Sequence, residues 1–114
     1  MRVLPLTFGV AAVWLLAVGR LGAQAADGQS IYREVCRVCH GPAGKPNQRT
    51  VSLYKTIPTF NASFFANRSQ DSIVAVLNHG AGKDMKSFKD KLSPAEIAAV
   101  AKYLKETFGG AATH

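Results

Sequence analysis

Cys36-Arg37-Val38-Cys39-His40 is the stretch on which the reading of this chain turns. Two thiols separated by two residues can add to two vinyl groups on one edge of a porphyrin. The histidine beside the second thiol then falls beneath the iron, where it can supply an axial nitrogen. Cys-x-x-Cys-His is the spacing of c-type haem attachment. A redox dithiol shares the Cys-x-x-Cys part but belongs to a mixed α/β pattern, and no convincing strand is legible here. A zinc site needs four ligands; the chain offers Cys36, Cys39, His40, His79 and His114, with no second cysteine pair. A disulfide between Cys36 and Cys39 would close only a very small loop.

The segment upstream of the motif agrees with haem attachment outside the cytoplasm. Met1-Arg2 leads into an apolar run from Val3 to Val18, and Ala23-Gln24-Ala25 supplies the small-residue site of a secretory signal peptide. The run is short for a spanning helix, which needs about 20 apolar residues. Residues 1–25 are therefore expected to be a cleaved signal and 26–114 one domain, with the product periplasmic and not stably inserted in a membrane. If the segment stays on, it becomes an anchor. A domain this small buries little apolar surface and needs a staple such as a cofactor.

Downstream of the motif, the residue pattern predicts an all-α fold of three or four helices with long loops. Asp27 is placed to cap a helix over 26–39, with Ile31, Val35 and Val38 at helical spacing. Residues 41–52, rich in glycine, proline and asparagine, read as loop. Ala62 to Asn67 reads as a short helix burying Phe64 and Phe65. Ser69 caps a helix to Asn78 with Ile73, Val76 and Leu77 on one face, and Gly80 ends it. Residues 79–92 form a second loop. Ser93, Pro94 and Glu96 spell a capping box and a first-turn proline, opening a helix with Ile97, Val100, Ala101, Leu104 and Phe108 on one side. The tail from Gly109 to His114 is expected to fray. Loops this long in a compact domain imply something enclosed between them.

The second axial ligand is then the question. Beyond the signal, Met85 is the single methionine, and it lies in the polar loop Gly80-Ala81-Gly82-Lys83-Asp84-Met85. That is an odd place for core packing, methionine's ordinary use. Glycines on its N-terminal side let the backbone curl over a haem face, and a thioether favours ferrous iron. Met85 is the leading candidate; His79 and His114 are the rivals, and an open iron is the remaining alternative.

At these residues the chain resembles a bacterial class I cytochrome c. Gly28 and Tyr32 match the glycine and aromatic of that family's first helix, and Tyr103 the aromatic of its last; the resemblance implies that these helices cross with the glycine at the contact. Ile57-Pro58-Thr59-Phe60 resembles the family's Ile-Pro-x-Leu turn, with Phe60 in place of leucine. It implies that the Pro58 carbonyl accepts a hydrogen bond from the His40 ring. Gly82 to Phe88 resembles the distal methionine loop, except that Lys86 stands where proline commonly follows the ligand. With Trp14 inside the signal, no indole is left to meet a haem propionate; Arg49 and Asn47 are candidates for that contact.

The expected function is that of an electron carrier and not an enzyme: one covalently bound haem c with Cys36 and Cys39 as attachment points and His40 and Met85 as axial iron ligands. The carrier would pass single electrons between respiratory redox partners. The net charge is +7. Lys83, Lys86, Lys89 and Lys91 cluster about the methionine loop, as a docking surface for an acidic protein or as a plain solvated face; no nucleic-acid motif accompanies them. Two alternatives stay open. The chain is a fixed haem subunit of a periplasmic dehydrogenase or reductase complex, or, if Met85 does not ligate, a haem peroxidase or gas sensor.

Overall fold

The computed structural model describes residues 26–110; the expected signal, residues 1–25, and the end of the tail, with His114, lie outside them. Among the described residues the chain is all-α, as expected, with five helices if the first is counted as one continuous rod. That rod consists of α1 (Gly28–Ile31), a π-helical turn (Tyr32–Cys36) and α2 (Arg37–His40). Then come α3 (Gln48–Leu53), α4 (Ala62–Phe65), α5 (Gln70–His79) and α6 (Pro94–Phe108).

Each start signal is made in the expected way. Asp27 accepts from the Gln29 N–H at 3.1 Å, and Ser69 Oγ accepts from the Ser72 N–H at 3.1 Å. The capping box of α6 is complete: Ser93 Oγ accepts from the Glu96 N–H at 3.1 Å, and Glu96 Oε1 accepts from the Ser93 N–H at 2.9 Å. Such a cap contributes about 1 kcal/mol.

Helix α6 is the core's spine. It buries Ile97, Val100, Ala101 and Leu104 against Ile31 and Tyr32 of the first rod and Ile73 and Leu77 of α5. Full burial of a large aliphatic side chain is worth about 1.5–3 kcal/mol. Gly28 lets the first rod approach: a Cβ there would stand 2.3 Å from the Ala99 carbonyl oxygen and 2.7 Å from Tyr103 Cβ. Tyr32 packs its ring 5.7 Å from Tyr103 and 5.4 Å from Phe108, and its hydroxyl donates to the Gly41 carbonyl.

The structure departs from the sequence reading at three places. Residues 41–52 are not all loop, because Asn47 Oδ1 accepts from the Thr50 N–H at 2.9 Å and opens α3. Val38 does not share a buried face with Ile31 and Val35; it is 79% exposed. The Arg37 N–H reaches back to the Tyr32 carbonyl, five residues away. That wider turn breaks the 3.6-residue phase on which the grouping rested. Phe64, beside buried Phe65, is only half-buried.

Candidate functional site

Enclosed by these loops is a cavity of about 660 Å³, within the range of cofactor-sized sites. Its lining draws on every element after the motif except α3: Pro58 and Phe60 from the extended turn, Phe64 and Phe65 from α4, Ile73, Val76 and Leu77 from α5, Leu104 from α6. His40 and Met85, far apart in sequence, both line it. This explains why Val76, on a face expected to be buried, is 42% exposed: it faces the cavity.

His40 is placed by its helix and by packing. Helix α2 ends at His40, and Gly41 turns the chain away at φ 81°. A Cβ on Gly41 would meet the Lys45 carbonyl oxygen at 2.0 Å, so the tight turn needs glycine. The Phe60 ring lies nearly flat on the imidazole, 4.4 Å between centroids at 17°. Phe60 is held by its N–H, which donates to the Gly44 carbonyl at 2.8 Å. It is also held by ring contacts with Phe64, Phe65 and Phe108 at 5.4–5.8 Å.

The expected hydrogen bond from the His40 ring to the Pro58 carbonyl is not made. His40 Nδ1 is buried with no partner. The aromatic ring that replaces leucine at position 60 holds the imidazole plane by stacking instead. Burial lowers the His40 pKa, keeping the ring neutral, which is the form that binds a metal.

Cys36 and Cys39 stand as free, half-buried thiols on the same helical end. Burial pushes the Cys36 thiol up to about 11. Among the described residues no three of His, Cys, Asp and Glu gather as a metal cluster.

Met85 is placed by backbone. The Ala81 N–H donates to the Met85 carbonyl at 2.9 Å and the Met85 N–H returns to Ala81 at 3.3 Å, closing a small reversed loop. Gly80 and Gly82 enter it at φ 81° and 60°. The Phe88 N–H on the Leu77 carbonyl at 2.8 Å, and Ser87 Oγ on the Asn78 carbonyl, tie the returning strand to α5. Lys86, standing where a proline was expected, donates from Nζ to the Lys83 carbonyl at 2.9 Å. The Met85 side chain is half-buried against the core.

His79, the rival, is exposed and does not line the cavity. Lys83, Lys86, Lys89 and Lys91 are all exposed. Neither Arg49 nor Asn47 lines the cavity; Asn47 is spent on capping α3. The charged side chain that does line it is Arg68, which sequence reasoning missed.

An imidazole whose buried Nδ1 has no partner and a thioether on a chain reversal line a largely apolar cavity, and two thiols stand on the helix that ends at that imidazole. These groups fit a haem. Helices wrapped about such a site define a class I c-type cytochrome.

Residues 23–104 match the family model described as cytochrome c oxidase, cbb3-type, subunit III, and the chain belongs to that family. It is 29% identical over 91 residues to the cbb3-type cytochrome c oxidase subunit FixP of Bradyrhizobium diazoefficiens, a match covering 80% of this chain and 30% of FixP. Among solved structures it is similar to the KustC0563 c-type cytochrome (30% identity, TM-score 0.64, 72% of this chain and 98% of that one). Cytochrome c6C from Synechococcus sp. PCC 7002 is also similar (25% identity, TM-score 0.58, 72% and 94%). The family carries covalently bound haem c and an electron-transfer role. Among the described residues no helix is long and apolar enough to cross a membrane.

Proposed function

We propose that this chain holds one haem, bonded to Cys36 and Cys39 and ligated by His40 and Met85, and passes single electrons between respiratory redox proteins in the periplasm. Residues 1–25 act as the export signal and 26–114 as the working domain. The observation supporting this is that His40 and Met85 line the same apolar cavity. Haem bound there supplies an iron that changes oxidation state by one electron.

The chain's own residues decide the rest. His40 is kept neutral by burial and fixed in plane by Phe60. Met85 brings a soft, uncharged sulfur that favours the reduced metal and raises the potential. If His40 and Met85 both ligated the iron, no position would be left on it for a substrate. The apolar wall formed by Phe64, Ile73 and Leu104 keeps water from rearranging around the centre. Lys83, Lys86, Lys89 and Lys91 surround the Met85 loop and steer an acidic partner, an effect that salt suppresses.

The test is the visible and near-infrared spectrum of the purified protein in both oxidation states. Low-spin haem c with a methionine–iron charge-transfer band is expected. Met85→Ala loses that band and His79→Ala keeps it. An unchanged Met85→Ala spectrum, or tight cyanide binding by the native protein, overturns the assignment and favours peroxidase or sensor chemistry.

A second reading is favoured by the similarity to FixP: the domain serves as a fixed electron-transfer subunit of a larger complex. Co-purification with a large redox subunit, and turnover indifferent to ionic strength, would select it over the free carrier.

A further inference from the structure

Helix α3 is built the wrong way round for a helix that serves its own core. Its buried residue is a polar one, Thr50, whose Oγ1 donates to Asn47 Oδ1 at 3.1 Å. Its large apolar residues face solvent: Val51 is 42% exposed, Leu53 65%, and Tyr54, at the helix end, 36%. None of the three belongs to the core or packs on it, and none lines the cavity. Apolar residues scattered singly over a surface are ordinary; three so close together on one short helix make a patch. The patch is held in shape by its backbone. Asn47 caps the first turn, the Tyr54 N–H donates to the Thr50 carbonyl at 2.8 Å, and the Ile57 N–H donates to the Tyr54 carbonyl at 3.1 Å.

The charge around this face has one sign. From Val35 to Gln70 the sequence holds no Asp or Glu, and Lys45, Arg49 and Lys55 flank α3. All three are exposed, and none forms an ion pair among the described residues. Arg49 stands one helical turn before Leu53, and Lys55 one turn after Val51. The lysines of the Met85 loop differ in this respect, because Asp84 and Asp90 lie among them. An apolar centre that includes a tyrosine, with arginine and lysine at its rim, is the anatomy of a protein-binding surface. A second copy of this chain, face to face, would set the same cations against each other. A helix of six residues offers little apolar area to a lipid surface.

We propose that Val51, Leu53 and Tyr54 of α3, flanked by Lys45, Arg49 and Lys55, seat a protein partner that presents an apolar residue within an acidic surface. This deepens the electron-carrier reading, on which it rests: the Met85-loop lysines draw the partner in, and α3 fixes where it sits. A partner seated there stands beside the His40 wall, since α3 joins the turn after His40 to the cavity-lining Thr56 and Pro58.

The test uses the haem-loaded protein and two peptides of equal length and charge. One is a glutamate-rich helical peptide with a leucine stripe; the other has alanine in place of the leucines. Isothermal titration calorimetry at low ionic strength is expected to show the leucine peptide binding about tenfold tighter, the effect of burying one anchor residue. Leu53→Ser and Val51→Ser abolish that preference, and Arg49→Glu weakens both peptides. Val38→Ser, at a valine 79% exposed outside α3, keeps the preference. Because these side chains are exposed, the melts of the variants stay close to that of wild type.

Equal or undetectable binding of the two peptides overturns the proposal, as does loss of the preference in Val38→Ser. Leu53-dependent binding to phosphatidylglycerol vesicles, with no preference between peptides, assigns the face to a membrane and overturns it too. So does self-association in sedimentation velocity that Leu53→Ser removes, which assigns the face to a second copy. The haem spectrum of the same samples decides the carrier reading separately: without covalent haem that reading falls, whatever α3 binds.

Discussion

The two walls that present His40 and Met85 are built by different means. The His40 wall is secondary structure backed by an aromatic core: a helix end, a glycine turn, and rings running from Phe60 through Phe108 to Tyr32 and Tyr103. The Met85 wall is a loop whose residues 81–84 are all exposed. It is shaped by one reciprocal pair of backbone hydrogen bonds and by glycines at positive φ. Its side chains add hydrogen bonds from Ser87 to Asn78 and from Lys86 to Lys83, and Met85 and Phe88 pack half-buried against the core. The first wall therefore shares the stability of the whole domain, whereas the second can open at a fraction of that cost. With the proposed haem in place, the helical wall would secure the cofactor and the loop would set how the iron behaves.

The largest expected effect comes from removing what joins the walls. Cys36→Ser/Cys39→Ser leaves the 660 Å³ cavity without a covalently held filling. The apolar side chains that line it then lose the partner they pack on, a loss that grows with the size of the space left unfilled. An ordinary domain has only about 5–15 kcal/mol of stability to lose. The double variant is expected to lose near-ultraviolet circular dichroism and bind a hydrophobic dye while keeping helical content. A native-like, cooperative melt without haem would show that the two walls stand alone.

Next is Gly28→Ala, which strikes the helical wall from behind. The added Cβ cannot fit 2.3 Å from the Ala99 carbonyl, so the first rod and α6 must separate. Overpacking of this kind costs about 2–3 kcal/mol, which lowers Tm by about 10 °C in a domain this size. The expected signature is global: unfolding shifts while the methionine–iron band at low temperature is kept. Gly80→Ala does the reverse. Its φ of 81° and a Cβ 2.7 Å from the Met85 carbonyl oxygen place about 1–2 kcal/mol of strain in the loop. The band should weaken well below the melting temperature. If both variants weakened the band equally, the walls would not be independent.

The same contrast governs what the sequence made legible. Signals that act locally were readable: the Ser93/Glu96 box, the Ser69 cap, the glycine that ends α5, and the Cys-x-x-Cys-His spacing. Gly28, Tyr32 and Tyr103 also meet as the family resemblance implied, because a cap or a close helix contact leaves its mark in residue type. Helix α3 was missed because its Asn47 cap sits among glycines and prolines that read as loop. Val38 was misplaced because nothing in residue type announces a π-helical turn. The His40 partner was misjudged since stacking by Phe60 is a tertiary substitute for a hydrogen bond. Arg68 was missed as a cavity-lining residue because only the path of the chain around α4 brings it there.

Smallest and sharpest is a change within the helical wall. The Tyr32 hydroxyl donates to the Gly41 carbonyl, next to His40, while its ring is 1% exposed. Burial pushes this phenol up to about 12 from an ordinary value of 10.0. The sign of the effect comes from linkage. Below about pH 10 folded and unfolded chains both hold the proton, so the contribution is full. Between about 10 and 12 the unfolded chain releases its proton while the folded one keeps it, and stability falls as pH rises. Tyr32→Phe is expected to cost about 1 kcal/mol at neutral pH, the worth of one buried hydrogen bond. It should also show a shallower alkaline decline than wild type, since every other titrating group is common to both proteins and cancels. Denaturant midpoints at pH 7 and near pH 11 read both effects. Parallel alkaline declines would mean that Tyr32 ionises without opening the helical wall, and the rigidity ascribed to that wall would have to come from Phe60 alone.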